Sequence, residues 1–210
     1  MKEEEPTAWF EPLYREAEVS GKGVPWAHME THPSFRAWLR GHHLEGRGKK
    51  ALVVGCGMGD DAIELVSSGF DVTAFDVSPS AIARCRQRFP QAPVDWIVAD
   101  LLAANKLWIA RFDFVLEIYT IQALPPKYEE EVIGKIAGYV APGGELLVIA
   151  VVGVEPRTFD NGPPWVLTQT HVETFQRLGL EITDQFQQEG ASRHGRDILV
   201  TTFHRPASRP

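Results

Sequence analysis

From about residue 50 onward, apolar runs and amphipathic stretches take turns along the chain. KKALVVG (49–55) is the continuous apolar run of a buried strand. DDAIELVSSG (60–69) sets Ala62, Ile63, Leu65 and Val66 on one side of a helix that Gly69 ends. DVTAFDV (71–77) predicts a second strand closing on Asp76. SPSAIARCRQRF (78–89) predicts a helix with Ser78 placed to cap it and Pro79 at its first position, where a missing N–H costs nothing. VDWIVAD (94–100) and FDFVLEIY (112–119) read as the third and fourth strands. PPKYEEEVIGKIAGYVAPGG (125–144) reads as a helix opened by prolines and stopped by Pro142, Gly143 and Gly144, and ELLVIAVVGV (145–154) as the fifth strand. THVETFQRLG (170–179) predicts a helix with Thr170 and Glu173 at capping-box spacing. LEITDQFQQEG (180–190) and RDILVTTFHR (196–205) follow with only a short polar loop between them. No helix fits there, so they pair antiparallel.

Alternation of strand and helix implies right-handed crossovers between parallel strands. The expected fold class is α/β: a Rossmann-like, seven-stranded, mostly parallel sheet with helices on both faces and the last strand antiparallel. Residues 1–48 show helical stretches only, around EPLYREAEV (11–19) and PSFRAWLRGHHL (33–44). They are expected to form an N-terminal helical cap belonging to the same domain, whose body spans 49–205.

Composition narrows the function. A chain of 210 residues can build one good core. Its net charge of −7 argues against a protein that grips a nucleic-acid backbone. MKEEEPTAWF lacks the apolar core of a signal segment, and no apolar run approaches bilayer length. Cys56 and Cys85 make neither a disulfide framework nor a zinc pattern. The expectation is a cytoplasmic protein with reduced thiols, no metal and a small-molecule partner, engaging neither nucleic acid nor membrane. His28, His42 and His43 stand at no metal spacing and are expected on the surface.

The candidate chemistry lies in LVVGCGMGDDAIEL (52–65). Each glycine in a folded element costs roughly 0.5–1 kcal/mol of entropy. Bare backbone at Gly55, Gly57 and Gly59, between a strand and a helix N-terminus, is the layout of a ligand site. A dinucleotide fingerprint starting at Gly55 wants its third glycine at residue 60, where Asp60 stands, followed by Asp61. Two carboxylates suit a ligand with a positive group better than a pyrophosphate. S-adenosylmethionine carries a sulfonium and an amino group and no phosphate. An NAD-dependent oxidoreductase is the lesser alternative, and a tight turn capped by an aspartate the blandest.

These features, over roughly 50–205, resemble the class I S-adenosylmethionine-dependent methyltransferases. VVGCGMG matches that family's glycine motif, so the resemblance implies cofactor contacts from Gly55, Cys56, Gly57 and Gly59. Asp76, with Val77 beside it, matches the acidic residue that binds the ribose hydroxyls. Asp100, with Leu101 beside it, matches the one that reaches the adenine amino group. APGG matches the turn before the fifth strand, and the antiparallel ending matches the seventh strand. Within the family, the thiopurine, thiol and halide methyltransferases are similar in lacking an acidic residue at the position of Val53 and in placing an aspartate where Asp61 stands. VPWAHMETHP looks like their N-terminal Pro-Trp segment, and FDFVLEIYTIQALPP like their stretch after the fourth strand, with Glu117 where they often have Asp. The basic residue they tend to carry a little later is replaced here by Glu129. That departure keeps a second alternative open: a cofactor-binding protein that has lost catalysis.

Methyl transfer from a sulfonium is an in-line displacement in which the protein contributes mainly alignment. A thiol acceptor needs no base, whereas an amine or hydroxyl must lose a proton. Glu117 and Tyr119, just after the fourth strand, are the catalytic candidates, and Glu117 is also a candidate for the methionine amino group. Trp26, Pro164 and Trp165 are the candidates to wall a substrate pocket under the cap and the loop 153–167. Cap and core packing are the competing roles for both tryptophans.

Overall fold

Seven strands form a mostly parallel sheet in the order β3-β2-β1-β4-β5-β7-β6. The strands are β1 (Lys50–Val54), β2 (Asp71–Asp76), β3 (Val94–Val98), β4 (Phe112–Ile118), β5 (Val140–Val151), β6 (Glu181–Gln188) and β7 (Ile198–His204). The helices are α1 (Phe10–Glu16), α2 (Pro33–Gly41), α3 (Asp60–Ser67), α4 (Pro79–Arg88), α5 (Glu129–Tyr139) and α6 (Gln169–Arg177). The structure, a computed structural model, describes residues 6–18, 20–103, 106–154 and 163–207. The chain divides into two compact units, Met1–Ala103 and Ala104–Pro210. Among the described residues no helix is long and apolar enough to cross a membrane.

In the first unit, β1 pairs parallel with β2 and β2 with β3. Ala51, Leu52, Val53 and Val54 are all buried, as the unbroken apolar run of β1 requires. α3 packs on β1 and β2, and α4 on β2 and β3. Ser78 caps α4 as expected, its hydroxyl accepting from the Ala81 N–H at 3.1 Å. The helix within 11–19 is shorter than predicted and ends at Glu16. It is held reciprocally to α4. Glu11 accepts from the Ser78 hydroxyl (2.5 Å), the Ser80 hydroxyl (2.7 Å) and the Ser80 N–H (3.1 Å), a carboxylate set against a helix N-terminus. Arg84 of α4 donates to the carbonyls of Tyr14 (3.1 Å) and Ala17 at the other end of α1.

In the second unit, β4 pairs parallel with β5, and β7 runs antiparallel to both β5 and β6. α5 packs on β4 and β5, and α6 on β6. Two boundaries differ from the sequence reading. α5 stops at Tyr139, and β5 already begins at Val140, which pairs with Phe112. The segment read as a helix stop is instead an irregularity inside β5. A Cβ at Gly144 would lie 2.9 Å from the Phe112 carbonyl oxygen, so glycine there lets one strand's backbone approach the next. α6 is capped by Thr168 rather than Thr170, with His171 in the N3 place, its Nδ1 accepting from the Thr168 N–H at 3.1 Å.

Candidate active site

The glycine turn joins β1 to α3 in the first unit. Gly55, Gly57 and Gly59 all have positive φ (60°, 52° and 88°), the region that costs other residues most. Asp76, at the end of β2, ties this turn to the next one. Its Oδ2 accepts from the Gly57 N–H at 3.0 Å and its Oδ1 from the Ser78 N–H at 2.9 Å. Burial pushes the Asp76 carboxyl up to about 6, against the pull of the Ser78, Gly57 and Val77 N–H groups. With three backbone N–H groups acting on it, the carboxylate still has acceptor capacity for a ligand hydroxyl.

The bare faces of the glycines answer to different neighbours. A Cβ at Gly57 would stand 3.0 Å from the Tyr14 hydroxyl and 4.0 Å from Trp26 Nε1. Trp26 donates to that hydroxyl at 2.9 Å, and the rings of Trp9 and Phe10 pack around Trp26. A Cβ at Gly59 would stand 2.7 Å from the Trp96 ring and 3.0 Å from Cys85 Sγ. Gly59 is therefore required by the protein's own packing. Cys85 Sγ also donates to the Gly57 carbonyl at 3.2 Å, and Cys56 is half-buried beside it.

Asp60 is not the free carboxylate that its place after the glycine turn predicts. Its carboxylate is taken by Arg88 of α4 in a bidentate pair at 2.7 and 2.8 Å, both side chains largely buried, and Arg88 also donates to the Met58 carbonyl. That charge is neutralised within the fold and does not face a ligand. Asp61 accepts from the His32 N–H at 2.8 Å, and burial pushes its carboxyl up to about 7. It anchors the segment before α2. Asp100 is half-buried and accepts from the Leu102 N–H at 2.8 Å, forming its own turn, and Leu101 is buried.

In the second unit, Glu117 is wholly buried near the end of β4. Its Oε1 accepts from the Thr120 N–H (2.7 Å) and the Ile121 N–H (3.0 Å), while Oε2 has no partner. Burial outweighs those two donors and pushes the carboxyl up to about 7. Tyr119 follows with φ of 63°, a strained value for a tyrosine, and its N–H donates to the Ile149 carbonyl at 3.1 Å. Its hydroxyl is held well above the usual range, first by burial and then by Glu117, with Arg193 opposing. Trp165 is buried and donates its N–H to the Gln122 carbonyl at 2.9 Å; Pro164 beside it is half-buried. Residues 155–162 of the anticipated pocket loop lie outside the described residues. Glu129, at the place of the basic residue, meets His171 Nε2 at 2.7 Å, and both are buried. Because Nδ1 accepts from Thr168, the proton sits on Nε2 and the imidazole donates it to the carboxylate.

Three residues that hold these segments in place carry no signal in the sequence. Tyr14 and Arg88 look like ordinary helix positions, and Gln122 stands in a stretch with no periodicity. The regular spacing of Gly55, Gly57 and Gly59 with Asp76 was the one readable signal.

Residues 51–144 match the model of a methyltransferase domain. An uncharacterized methyltransferase of Mycobacterium tuberculosis is 34% identical over 101 residues, 48% of this chain and 50% of its own length; the match thus spans half of that relative. A probable thiol methyltransferase of Arabidopsis thaliana is 26% identical over 165 residues, 74% of this chain and 72% of its own. Among solved structures, the N-methyltransferase NodS of Bradyrhizobium japonicum, in complex with S-adenosylhomocysteine, superposes with a TM-score of 0.66 at 22% identity, covering 82% of this chain and 83% of that one, which speaks for the fold. The strand order is that of a Rossmann-like fold like that of the NodS structure, and the glycine turn and Asp76 lie inside the stretch that is similar to a methyltransferase domain.

Proposed function

We propose that this protein is an S-adenosylmethionine-dependent methyltransferase acting on a small molecule, and that it works in the cytoplasm, where its two free thiols stay reduced. The observation that supports it most is the joint between Asp76 and the turn: a buried carboxylate holding the Gly57 N–H at 3.0 Å with acceptor capacity to spare. The residues fit the cofactor. Asp76 takes the ribose hydroxyls, with Val77 alongside, and the half-buried backbone of Gly55 and Cys56 receives the methionine portion, while Gly57 shapes the turn through its bonds to Asp76 and Cys85. Asp100 and Leu101 take the adenine. Asp61 contributes by fixing the segment that leads into α2, and Gly59 by letting Trp96 close against the turn. Trp26 orients the Tyr14 hydroxyl over Gly57 and belongs to the wall of the site.

The bound cofactor supplies an activated methyl group on a positively charged sulfur. The protein's share is to align the acceptor and receive a proton where one is lost. Glu117 and Tyr119 are the catalytic candidates for that share, with Glu117 also available to an amino group, and Pro164 and Trp165 the candidates on the acceptor side. Likeness to the thiol methyltransferase favours a thiol, chalcogen or halide acceptor. The unpaired, buried oxygen of Glu117 favours an oxygen or nitrogen acceptor that gives up a proton.

The test is ligand-dependent unfolding. S-adenosylhomocysteine raises the melting temperature and NADH does not, because only a ligand bound by the native state shifts it. Stabilisation by NADH alone refutes the assignment. Methyl transfer from labelled cofactor across a panel of thiols, phenols and amines then separates an enzyme from a binding protein that holds the cofactor idle.

A further inference from the structure

Glu11 and Tyr14 lie one helical turn apart on α1, and each reaches one end of the joint that Asp76 makes. At the turn end, Asp76 Oδ2 accepts from the Gly57 N–H, and the Tyr14 hydroxyl stands 3.0 Å from where a Cβ on Gly57 would lie. At the helix end, Asp76 Oδ1 accepts from the Ser78 N–H at 2.9 Å, while the Ser78 hydroxyl donates to Glu11 Oε2 at 2.5 Å. Ser78 thus carries one carboxylate on its N–H and another on its hydroxyl. It is wholly buried, and its Oγ accepts from the Ala81 N–H at 3.1 Å, so it cannot turn away from either. The Ser80 hydroxyl and N–H hold Glu11 in place, and Arg84 holds the far end of α1 through the Tyr14 and Ala17 carbonyls.

The charges on the two carboxyls answer to different surroundings. Burial raises Glu11, but the Ser78 and Ser80 hydroxyls, the Ser80 N–H and Arg15 prevail and leave it below its usual range. Glu11 therefore stays ionised while Asp76, pushed up to about 6 by burial and further by Glu11 itself, takes up its proton. Tyr14 and Cys56 also face Asp76. Burial pushes the Tyr14 phenol up, and the bond to Cys85 of α4, with burial, pushes the Cys56 thiol up, so both are neutral in that range. Among these neighbours Glu11 alone brings a fixed charge.

We propose, resting on the reading of Asp76 as the ribose ligand, that Glu11 is a positioning residue of the cofactor site. Through Ser78 it fixes the N–H that orients Asp76, and its charge sets the acidity at which Asp76 lets go of the cofactor. A negative neighbour disfavours a second negative charge, so Asp76 is protonated earlier on acidification than it would be beside a neutral group. Once protonated, the carboxyl has less capacity to accept from a ligand hydroxyl. α1 is then a working part of the site.

Glu11→Gln keeps an oxygen for the Ser78 hydroxyl and the Ser80 N–H and offers an N–H to the Ser80 oxygen, so the bonds survive and the charge goes. Carboxyl-carbon NMR of the ligand-free full chain follows Asp76 directly, with Asp76→Asn identifying its signal. Its midpoint should fall by about half a pH unit in Glu11→Gln. Calorimetry with S-adenosylhomocysteine from about pH 8 to about pH 5 should show the loss of affinity moving down by the same amount, with affinity at the alkaline end changed by less than about twofold. Ser80→Ala loosens the hold on α1 but leaves the charge, and should move neither midpoint. Glu11→Met removes the same charge if Glu11→Gln does not fold. An Asp76 midpoint that stays in place overturns the proposal. So does a moved midpoint that affinity does not follow, or an equal movement in Ser80→Ala. Failure to bind S-adenosylhomocysteine at any pH strikes the methyltransferase reading itself.

Discussion

Replacing Glu117 by glutamine should change how stability depends on pH, by an amount the structure sets. The amide keeps an oxygen for the Thr120 and Ile121 N–H groups but carries no charge. In the native protein the carboxyl rises from 4.5 to about 7, and a shift of that size corresponds to about 3 kcal/mol. No discount for solvent screening applies, since the side chain is wholly buried. The folded state binds the proton more tightly than the unfolded state. Glu117's contribution is therefore fully present below the unfolded value near 4.5 and is lost as pH rises through about 7. Asp61 and Asp76 shift in the same direction, so the unaltered protein loses stability over this window for three groups together. The difference between variant and parent isolates one of them. Urea unfolding in a series of buffers spanning the window should show the variant gaining on the parent by about 3 kcal/mol from the acid end to the neutral end. The buried amide N–H that the variant leaves unpaired costs about 1–3 kcal/mol at every pH, which moves the line without tilting it. A difference that stays flat across the window refutes the claim that Glu117 is a desolvated carboxylate.

Asp76 titrates at about 6, so affinity for S-adenosylhomocysteine should fall by roughly tenfold per pH unit below that value, as calorimetry across acid pH would show. Constant affinity down to pH values near the usual carboxylate range would remove Asp76 from the ribose. Gly59→Ala combines a φ of 88° with a Cβ only 2.7 Å from the Trp96 ring, and should cost more than about 2 kcal/mol in thermal or chemical unfolding, part of it recovered by Trp96→Leu. Arg88→Met strands the Asp60 carboxylate and the Met58 carbonyl and should cost about 3 kcal/mol, with Asp60→Asn in the same chain returning a good share.

Sequence periodicity located every strand of the sheet because each strand's burial is written in its own residues. β1 is a run of four buried side chains, and β6 alternates exposed and half-buried positions along its length. Boundaries fared worse where a residue's meaning depends on a distant partner. Pro142, Gly143 and Gly144 have the composition of a helix stop, yet Gly144 is there because the Phe112 carbonyl comes within 2.9 Å of its missing Cβ. Asp60 reads as free negative charge at a helix start. Its partner is Arg88, 28 positions later on the next helix, and no local pattern announces that pairing.

The candidate residues of the two units differ in the same way. Gly55, Gly57 and Asp76 could be read in advance because their job is to shape backbone, and backbone demands restrict residue type: glycine for positive φ, a short acceptor for the Gly57 N–H. Trp96 and Cys85 show that even this legibility is partial, since Gly59 satisfies a neighbour inside the protein. Glu117 and Gln122 are different in kind. Their significance is a bond that is missing, and a missing bond can be seen only when every partner within reach has been counted. A glutamine in an aperiodic stretch and a glutamate at a strand end are commonplace in sequence. They become informative when each is found with one atom tied to the backbone and the other buried without a partner. What the fold satisfies at Gly57 and Asp76 is thus written in residue type, whereas what it leaves unsatisfied at Glu117 and Gln122 is written only in the structure.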